Sequence, residues 1–187
     1  TERENCCDDL AAAATGGDLN YAQALAALDS RRPGTPHLAM AADGTIAAAE
    51  PLAQGQIQPA SLDLRLGPVA HRIRASFLTG KGRTVADRLV DFKMHEIDLT
   101  SGAVLEKGCV YVVPLLERLD LPDGLSGAAS AKSSIGRLDL LTRIITDNGT
   151  EFDRVPEGYS GPLYVEICPQ SFSVIAKTGQ LLNQIIF

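Results

Sequence analysis

Residues 132–137, with the sequence Lys-Ser-Ser-Ile-Gly-Arg, combine a cation, two hydroxyls, a glycine and a guanidinium. Such a segment concentrates hydrogen-bond donors on a short stretch of backbone, and Gly136 is expected to allow a sharp turn where a side chain would clash. Arg137 offers a rigid fork of five donors that fits a carboxylate or a phosphate. The segment therefore predicts an anion-binding turn. Considered alone, a solvated turn with a surface ion pair explains the same residues.

A second candidate for chemistry is a carboxylate within an apolar strand. Leu163, Val165 and Ile167 alternate with Tyr164 and Glu166, which is the period-two pattern of a β-strand. The three aliphatic side chains are expected on one face and the other two on the opposite face. A carboxylate in the middle of such a strand must find polar partners or stay protonated. Glu166 is therefore either a surface residue of an edge strand or a buried functional group.

A third segment places Leu62, Leu64 and Leu66 in alternation with Asp63 and Arg65. The alternation predicts a strand with one face in the core and one face in solvent. Asp63 and Arg65 are interpreted as the polar face of a supporting strand and not as catalytic residues.

Taken in chain order, these segments resemble the motifs of the dCTP deaminases, which are members of the dUTPase-like superfamily. Residues 58–67, 133–138 and 158–166 resemble the first, second and third motifs, and residues 179–187 resemble the closing strand. The resemblance covers roughly residues 52–187 and is nearest to the N-terminal half of the long, internally duplicated bacterial form. It implies a mainly β fold, a distorted jelly roll or β-barrel of the dUTPase-like type, with a few short helices.

The resemblance also implies a role for three catalytic candidates. Glu166 would take a proton from the attacking water and then deliver it to the pyrimidine as an acid. Arg137 would be the cation that holds Glu166 or the water in place. Ser133 would orient the water by hydrogen bonding.

Four further residues are implied to bind substrate. Lys132 would face the phosphates of the nucleotide, and Thr146 lies where the family uses a main-chain carbonyl. Ser134 and Tyr159 complete this set. The implied reaction converts dCTP and water to dUTP and ammonia, with Mg²⁺ accompanying the triphosphate.

Zinc is not expected to take part. Zinc-dependent deaminases hold their metal with His-x-Glu and Cys-x-x-Cys motifs, and this sequence contains neither. Its three histidines, His37, His71 and His95, show no spacing typical of metal ligands. Any deamination is therefore predicted to be zinc-independent, as the resemblance also implies.

Two departures from the family pattern leave other functions open: the third motif differs, and the sequence ends at Phe187, where the family is expected to continue into a tail that closes over the triphosphate. Pro156 occupies the place of an aspartate that the third motif typically carries, and in dUTPases an aspartate of this motif activates the attacking water. The segment 147–154 is longer than in short family members, and Asp153 or Glu157 could substitute for the aspartate if this loop folds differently. The alternatives are a dUTP diphosphohydrolase, alone or coupled to deamination, and a non-catalytic nucleotide-binding half of a duplicated enzyme. Family members are usually trimers with sites at subunit interfaces, so a trimer or pseudo-trimer is expected.

Length and composition agree with one domain that has a substantial core. The chain has 187 residues, of which 45% are hydrophobic, and a net charge of -6. Without a basic run, the sequence argues against a nucleic acid as partner. It contains neither an apolar run long enough to cross a membrane nor a basic, apolar secretory leader, so the cytoplasm is the expected compartment. Residues 1–50 are interpreted as a lead with one helix near residues 20–30, and residues 51–187 as the β domain.

Within the β domain, periodicity and turn residues predict the remaining elements. A short helix is expected over 85–93, after a glycine-rich loop at 80–83. Strands are expected over 69–77, 96–99, 109–116, 138–145, 163–167, 171–176 and 181–187.

Overall fold

The computed structural model describes residue 40 and residues 44–53, 55–58 and 60–187. The helix expected near residues 20–30 lies outside the described residues. The described elements are β1 (Ile46–Ala48), β2 (Leu62–Arg65), β3 (Val69–Ile73), α1 (Val85–Phe92), β4 (Lys93–Asp98), β5 (Ala103–Leu105), β6 (Val110–Asp120), β7 (Gly127–Ala131), α2 (Ser133–Gly136), β8 (Leu140–Thr146), β9 (Arg154–Val155), β10 (Ser160–Pro169), β11 (Val174–Ala176) and β12 (Leu181–Ile186).

Antiparallel sheets dominate the described residues. The main sheet has the order β4-β3-β6-β10-β8, with β1 also paired to β6. A second sheet has the order β2-β12-β7-β9, and β5 pairs with β11. Aliphatic side chains of β2 and β12 pack with those of β6, β8 and β10 in one large cluster, so the core lies between the two larger sheets. The predicted mainly β fold with a few short helices is confirmed.

The other face of the main sheet is covered by α1. Val85 and Leu89, one helical turn apart, are its buried side chains, and they belong to a second cluster with Val112 of β6. Thr84 and Asp87 begin the helix with a capping box, in which each side chain accepts a hydrogen bond from the other's backbone N–H. The backbone N–H of Thr84 lowers the pKa of the Asp87 carboxyl, which favours the charged form at the positive end of the helix.

Strand β2 differs from its prediction. All four of its residues are buried, including the polar Asp63 and Arg65. Both polar side chains have partners: Asp63 pairs with Lys132, and Arg65 pairs with Glu117. The expectation of a solvated polar face was wrong because these partners lie on other strands or loops, where sequence alternation cannot reveal them.

Strand β7 has no counterpart in the sequence predictions. Its residues are mainly glycine and alanine, which have low strand propensity. The strand forms because β12 packs closely upon it: a Cβ at Gly127 would lie 2.9 Å from the terminal carbon of Ile185. Small side chains here allow the close approach of neighbouring strands and do not indicate a loop.

The segment 132–137 also folds differently from its prediction. Residues Ser133–Gly136 form the single-turn helix α2, and Gly136 does not have a positive φ. A Cβ at Gly136 would meet no atom within 4 Å, so the expected clash is absent. The left-handed conformation falls instead on Asp139, with φ of 53°.

A glycine is required at position 67, where two backbone segments touch. The N–H of Gly67 donates to the carbonyl of Pro114 at 2.8 Å, and an added Cβ would lie 2.5 Å from that oxygen. We expect Gly67→Ala to lower the free energy of unfolding by about 1–3 kcal/mol, as overpacking does elsewhere. Urea unfolding measures the change, and Gly136→Ala is the control because its site is open. Equal stability of Gly67→Ala and the native chain would contradict this prediction.

None of the helices in the part of the chain that the structure describes has the length and apolar character needed to cross a membrane.

Candidate functional site

Glu166 lies on β10, in the middle of the main sheet. The expected division of faces is confirmed: Leu163, Val165 and Ile167 belong to the large core cluster, and Tyr164 packs against the cluster under α1. Because β6 and β8 flank β10, Glu166 is not on an edge strand. Its relative exposure is 2%.

The cation beside Glu166 is Arg143 of β8. The two residues are directly opposite each other in the β8–β10 register. Arg143 donates two hydrogen bonds to the same carboxylate oxygen, Oε1, from Nε at 3.1 Å and from Nη2 at 2.5 Å. The other oxygen, Oε2, is buried and has no hydrogen-bond partner among the described residues. Oε1 is thus paired with a cation, whereas Oε2 accepts no hydrogen bond from the described residues.

Two more side chains contact the Arg143 guanidinium. Nη2 also donates to Oγ of Ser76 at 3.1 Å, and the guanidinium carbon lies 3.7 Å from the centre of the Phe152 ring. The latter distance is well within the range of a cation–π contact. The guanidinium is therefore bound on three sides, by Glu166, Ser76 and Phe152.

The predicted partner Arg137 does not occupy this position. Arg137 follows α2 and is exposed, and its guanidinium has no hydrogen bond or ion pair within the described residues. Ser133 and Ser134, on the same turn, are exposed as well. Within one chain, the structure brings Glu166 together with Arg143 and not with Arg137 or Ser133. A contact of Arg137 with Glu166 or its water across an interface between copies stays a prediction.

Lys132 is engaged within the chain. Its Nζ forms an ion pair with Oδ2 of Asp63, a carboxylate that is almost fully buried. The resemblance assigns Lys132 to the phosphates of a nucleotide, whereas here its charge is compensated by Asp63. The other Asp63 oxygen, Oδ1, has no hydrogen-bond partner among the described residues.

Thr146 and Tyr159 both serve the backbone of the fold. The carbonyl of Thr146 accepts from Oγ1 of Thr79 at 2.9 Å and from the N–H of Gly149 at 3.2 Å. The Tyr159 hydroxyl donates to the carbonyl of Pro162 at 2.5 Å and accepts from the N–H of Asp147 at 3.2 Å. Burial raises the pKa of the Tyr159 hydroxyl far above its ordinary value, so it stays a neutral phenol. Neither group is open to a ligand in the single chain.

The two carboxylates considered as substitutes for the missing aspartate each have one oxygen bonded to the backbone. Oδ1 of Asp153 accepts from the N–H of Ile144 at 2.8 Å, and Oε1 of Glu157 accepts from the N–H of Gly124 at 2.8 Å. Burial raises the pKa of the Asp153 carboxyl, and the hydrogen bond from Ile144 opposes that rise. Both residues therefore act as backbone braces in this chain.

A cavity of about 470 Å³ lies beside α2. Gly136, Asp139, Thr142 and Gln170 are among its lining residues, and Glu166 is not. Its size falls in the range of small-molecule sites. The turn that resembles the second motif thus borders an open space, while the buried carboxylate lies elsewhere in the same chain.

Among the described residues, no group of three or more His, Cys, Asp or Glu side chains is arranged to hold a metal ion.

Sequence reasoning missed Arg143, although a signal for it was present. Arg143 is the one charged residue of β8, a strand whose other residues are leucine, isoleucine and threonine. The argument applied to Glu166, that a charge within an apolar strand must find a partner, applies equally to Arg143. Two strand-borne charges of opposite sign would have suggested the pair.

Comparisons with known proteins agree with this architecture. Residues 33–187 match the family described as the 2'-deoxycytidine 5'-triphosphate deaminase (DCD) N-terminal domain. The structure is similar to that of 2'-deoxycytidine 5'-triphosphate deaminase from Agrobacterium tumefaciens, with 52% sequence identity and a TM-score of 0.78. That similarity covers 80% of this chain and 44% of the solved chain, so the matched region spans less than half the length of that relative.

Curated relatives give the same family. The chain is 32% identical over 144 residues to a "dCTP deaminase, dUMP-forming" of Coprothermobacter proteolyticus, covering 74% of this chain and 71% of the relative. It is 28% identical over 135 residues to a "dCTP deaminase" of Halorubrum lacusprofundi, covering 71% of this chain and 63% of the relative.

The fold is therefore a mainly β fold of the dUTPase-like type, as predicted. The chain belongs to the dCTP deaminase family and carries its N-terminal domain.

Proposed function

We propose that this protein deaminates dCTP to dUTP and ammonia, with Glu166 as the catalytic base. The observation that carries the proposal is the state of the Glu166 carboxylate: it is buried, one oxygen is paired with Arg143, and the other has no hydrogen-bond partner among the described residues. A general base needs an oxygen that no protein donor occupies, so that the water it activates can donate to it. Family membership supplies the substrate class.

The proposed chemistry needs one carboxylate and one water. Oε2 of Glu166 takes a proton from water as the oxygen attacks C4 of cytosine, and the same carboxyl then delivers that proton to N3. The remaining hydroxyl proton of the tetrahedral intermediate moves to the amino group, ammonia leaves, and C4 becomes the carbonyl of uracil. Arg143 keeps its hydrogen bonds to Oε1 throughout, so it stabilises the ionised carboxylate without exchanging a proton.

We take the nucleotide as its Mg²⁺ complex, and the reaction as zinc-independent because the sequence has no zinc-deaminase motif.

A second copy of the chain would complete the site. The side chains of Ser133 and Arg137 are exposed on and just after α2, beside an open cavity, and neither meets Glu166 within one chain. In a trimer or pseudo-trimer these donors would approach a neighbour's Glu166 and orient the water and the nucleotide. This arrangement also explains why both residues are free to bind a partner or ligand.

The product is proposed to be dUTP and not dUMP. Hydrolysis of the triphosphate would need a second carboxylate to activate water, and Pro156 stands where the third motif typically carries that aspartate. The relative from Coprothermobacter proteolyticus is named as dUMP-forming, so a coupled diphosphohydrolase is the second candidate function.

The test is incubation with dCTP and Mg²⁺, followed by ion-exchange chromatography and an ammonia assay. Equal amounts of dUTP and ammonia would support the proposal. Formation of dUMP and pyrophosphate would favour a coupled diphosphohydrolase. Nucleotide binding without turnover would favour a non-catalytic nucleotide-binding half.

A further inference from the structure

Residues 147–153, the long segment of the third motif, are tied to the loop before α1. Oδ1 of Asp147 accepts from the N–H of Val85 at 2.7 Å, and Oδ1 of Asn148 accepts from the N–H of Gly82 at 2.9 Å. The N–H of Asn148 donates to the carbonyl of Arg83 at 2.8 Å. Because both partners are backbone groups, the beginning of the segment has a defined place over the α1 face of the sheet.

The end of the same segment is fixed to β8. Asp153 has a left-handed backbone, with φ of 59°, which is uncommon outside glycine. Its N–H donates to the carbonyl of Ile144 at 2.9 Å, and its Oδ1 accepts from the N–H of Ile144 at 2.8 Å. Phe152 precedes Asp153 and Arg143 precedes Ile144 in the sequence. The reciprocal pair of hydrogen bonds therefore holds Phe152 beside Arg143.

The contact that results places an aromatic face against the guanidinium of Arg143. The guanidinium carbon is 3.7 Å from the ring centre of Phe152. The Arg143 side chain is 29% exposed, so without this ring it would have water and several rotamers available. With the ring in place, the guanidinium plane is fixed and both Nε and Nη2 point to Oε1 of Glu166.

We propose that Phe152 is a positioning residue for the deamination: it holds Arg143 so that both donors occupy Oε1 of Glu166 and neither donor occupies Oε2, which is left to accept from the water. The inference rests on the proposed function and deepens it. It also gives a role to the segment 147–153, which neither binds the nucleotide in this account nor belongs to the sheets. A free Arg143 could donate to either oxygen, and the acceptor needed for water would then be blocked for part of the time.

Comparison of Phe152→Leu with Phe152→Tyr shows whether the aromatic ring itself is needed or only an apolar side chain of similar size. We expect Phe152→Leu to lower kcat for dCTP roughly tenfold with KM almost unchanged, because a cation–π contact and a fixed geometry are lost. Phe152→Tyr keeps the ring face and should retain the native kcat. Arg143→Lys keeps the charge but cannot donate twice to one oxygen, so it should lose kcat as Phe152→Leu does. A native kcat in Arg143→Lys, or an equal loss in the Leu and Tyr variants, would overturn the proposal.

A second measurement does not depend on turnover. The Nε–H proton of Arg143, assigned by its disappearance in Arg143→Lys, should be shifted by the Phe152 ring and protected from water exchange in the NMR spectrum of the native chain. In Phe152→Leu it should move to the position of a free arginine and exchange rapidly, and an unchanged resonance would overturn the proposal. If the native chain fails to deaminate dCTP, the proposed function fails, while this resonance still decides whether Phe152 positions Arg143.

Discussion

Glu166→Gln is expected to lower the rate of dCTP deamination by roughly 10²- to 10⁴-fold, which is the usual contribution of a positioned acid–base group. Glutamine has the size of glutamate and can still accept a hydrogen bond from Arg143, so the fold should be kept. It cannot take a proton from water, and the base and the proton shuttle are lost together. Initial rates of ammonia release, with circular dichroism as the check on folding, measure the effect.

The matched control for that experiment is Glu96→Gln. Glu96 is an exposed carboxylate of β4, paired with Lys93, and it has no place in the proposed site. Its variant should deaminate dCTP at the native rate. A Glu166→Gln variant that keeps more than about a tenth of the native rate would show that another group activates the water.

Glu117→Ala is expected to cause the largest loss of stability among single substitutions considered for this chain. Oε1 of Glu117 accepts from Nε of Arg65 and from Nε2 of Gln56, each at 2.7 Å, and Oε2 accepts from the N–H of Arg65 at 2.7 Å. The side chains of Arg65 and Glu117 are 8% and 0% exposed. Removal of the carboxylate leaves a buried, uncompensated guanidinium, which typically costs about 3–5 kcal/mol. Urea unfolding followed by circular dichroism measures the loss.

The double variant Arg65→Met/Glu117→Leu distinguishes the cost of leaving one charge unpaired from the contribution of the ion pair itself. Replacing both charges by apolar groups of similar size leaves no unpaired ion, so this variant should be more stable than Glu117→Ala. Arg65 also donates to the carbonyls of Glu50 and Pro51, so the double variant leaves these acceptors to water. A Glu117→Ala variant within about 1 kcal/mol of the native free energy of unfolding would mean that water reaches Arg65.

The alternation of apolar and polar residues predicted β10, whereas no signal in the sequence indicated β7, whose small residues are explained by the adjacent strand β12. The alternation around Glu166 correctly divided the two faces of β10, and the helix expected over 85–93 ends only one residue earlier. In contrast, the glycine and alanine residues of β7 carry no strand signal, because the reason for their small size is the closeness of β12. Burial of Asp63 and Arg65 likewise depends on ion-pair partners that are 69 and 52 positions away.

The candidate site shows the same limit. Glu166 was selected because its motif and its apolar strand both indicated a functional carboxylate. The resemblance of residues 133–138 to the second motif predicts Arg137 as the cation that holds Glu166 or the water. The register of β8 against β10 instead places Arg143 opposite Glu166, and register depends on pairing between distant segments. The ring contact of Phe152 was beyond sequence reasoning, because it requires the left-handed Asp153 and its bonds to Ile144.

The most direct test of the account is a crystal structure of the Glu166→Gln variant with dCTP. We predict a cytosine whose C4 is linked through one water to the side chain of residue 166, with hydrogen bonds of about 2.6–3.2 Å. Arg143 should remain on the far side of that side chain, and Arg137 of another copy should contact the same water or nucleotide. A cytosine bound out of reach of residue 166, with no water between them, would contradict the central claim that this carboxylate performs the reaction.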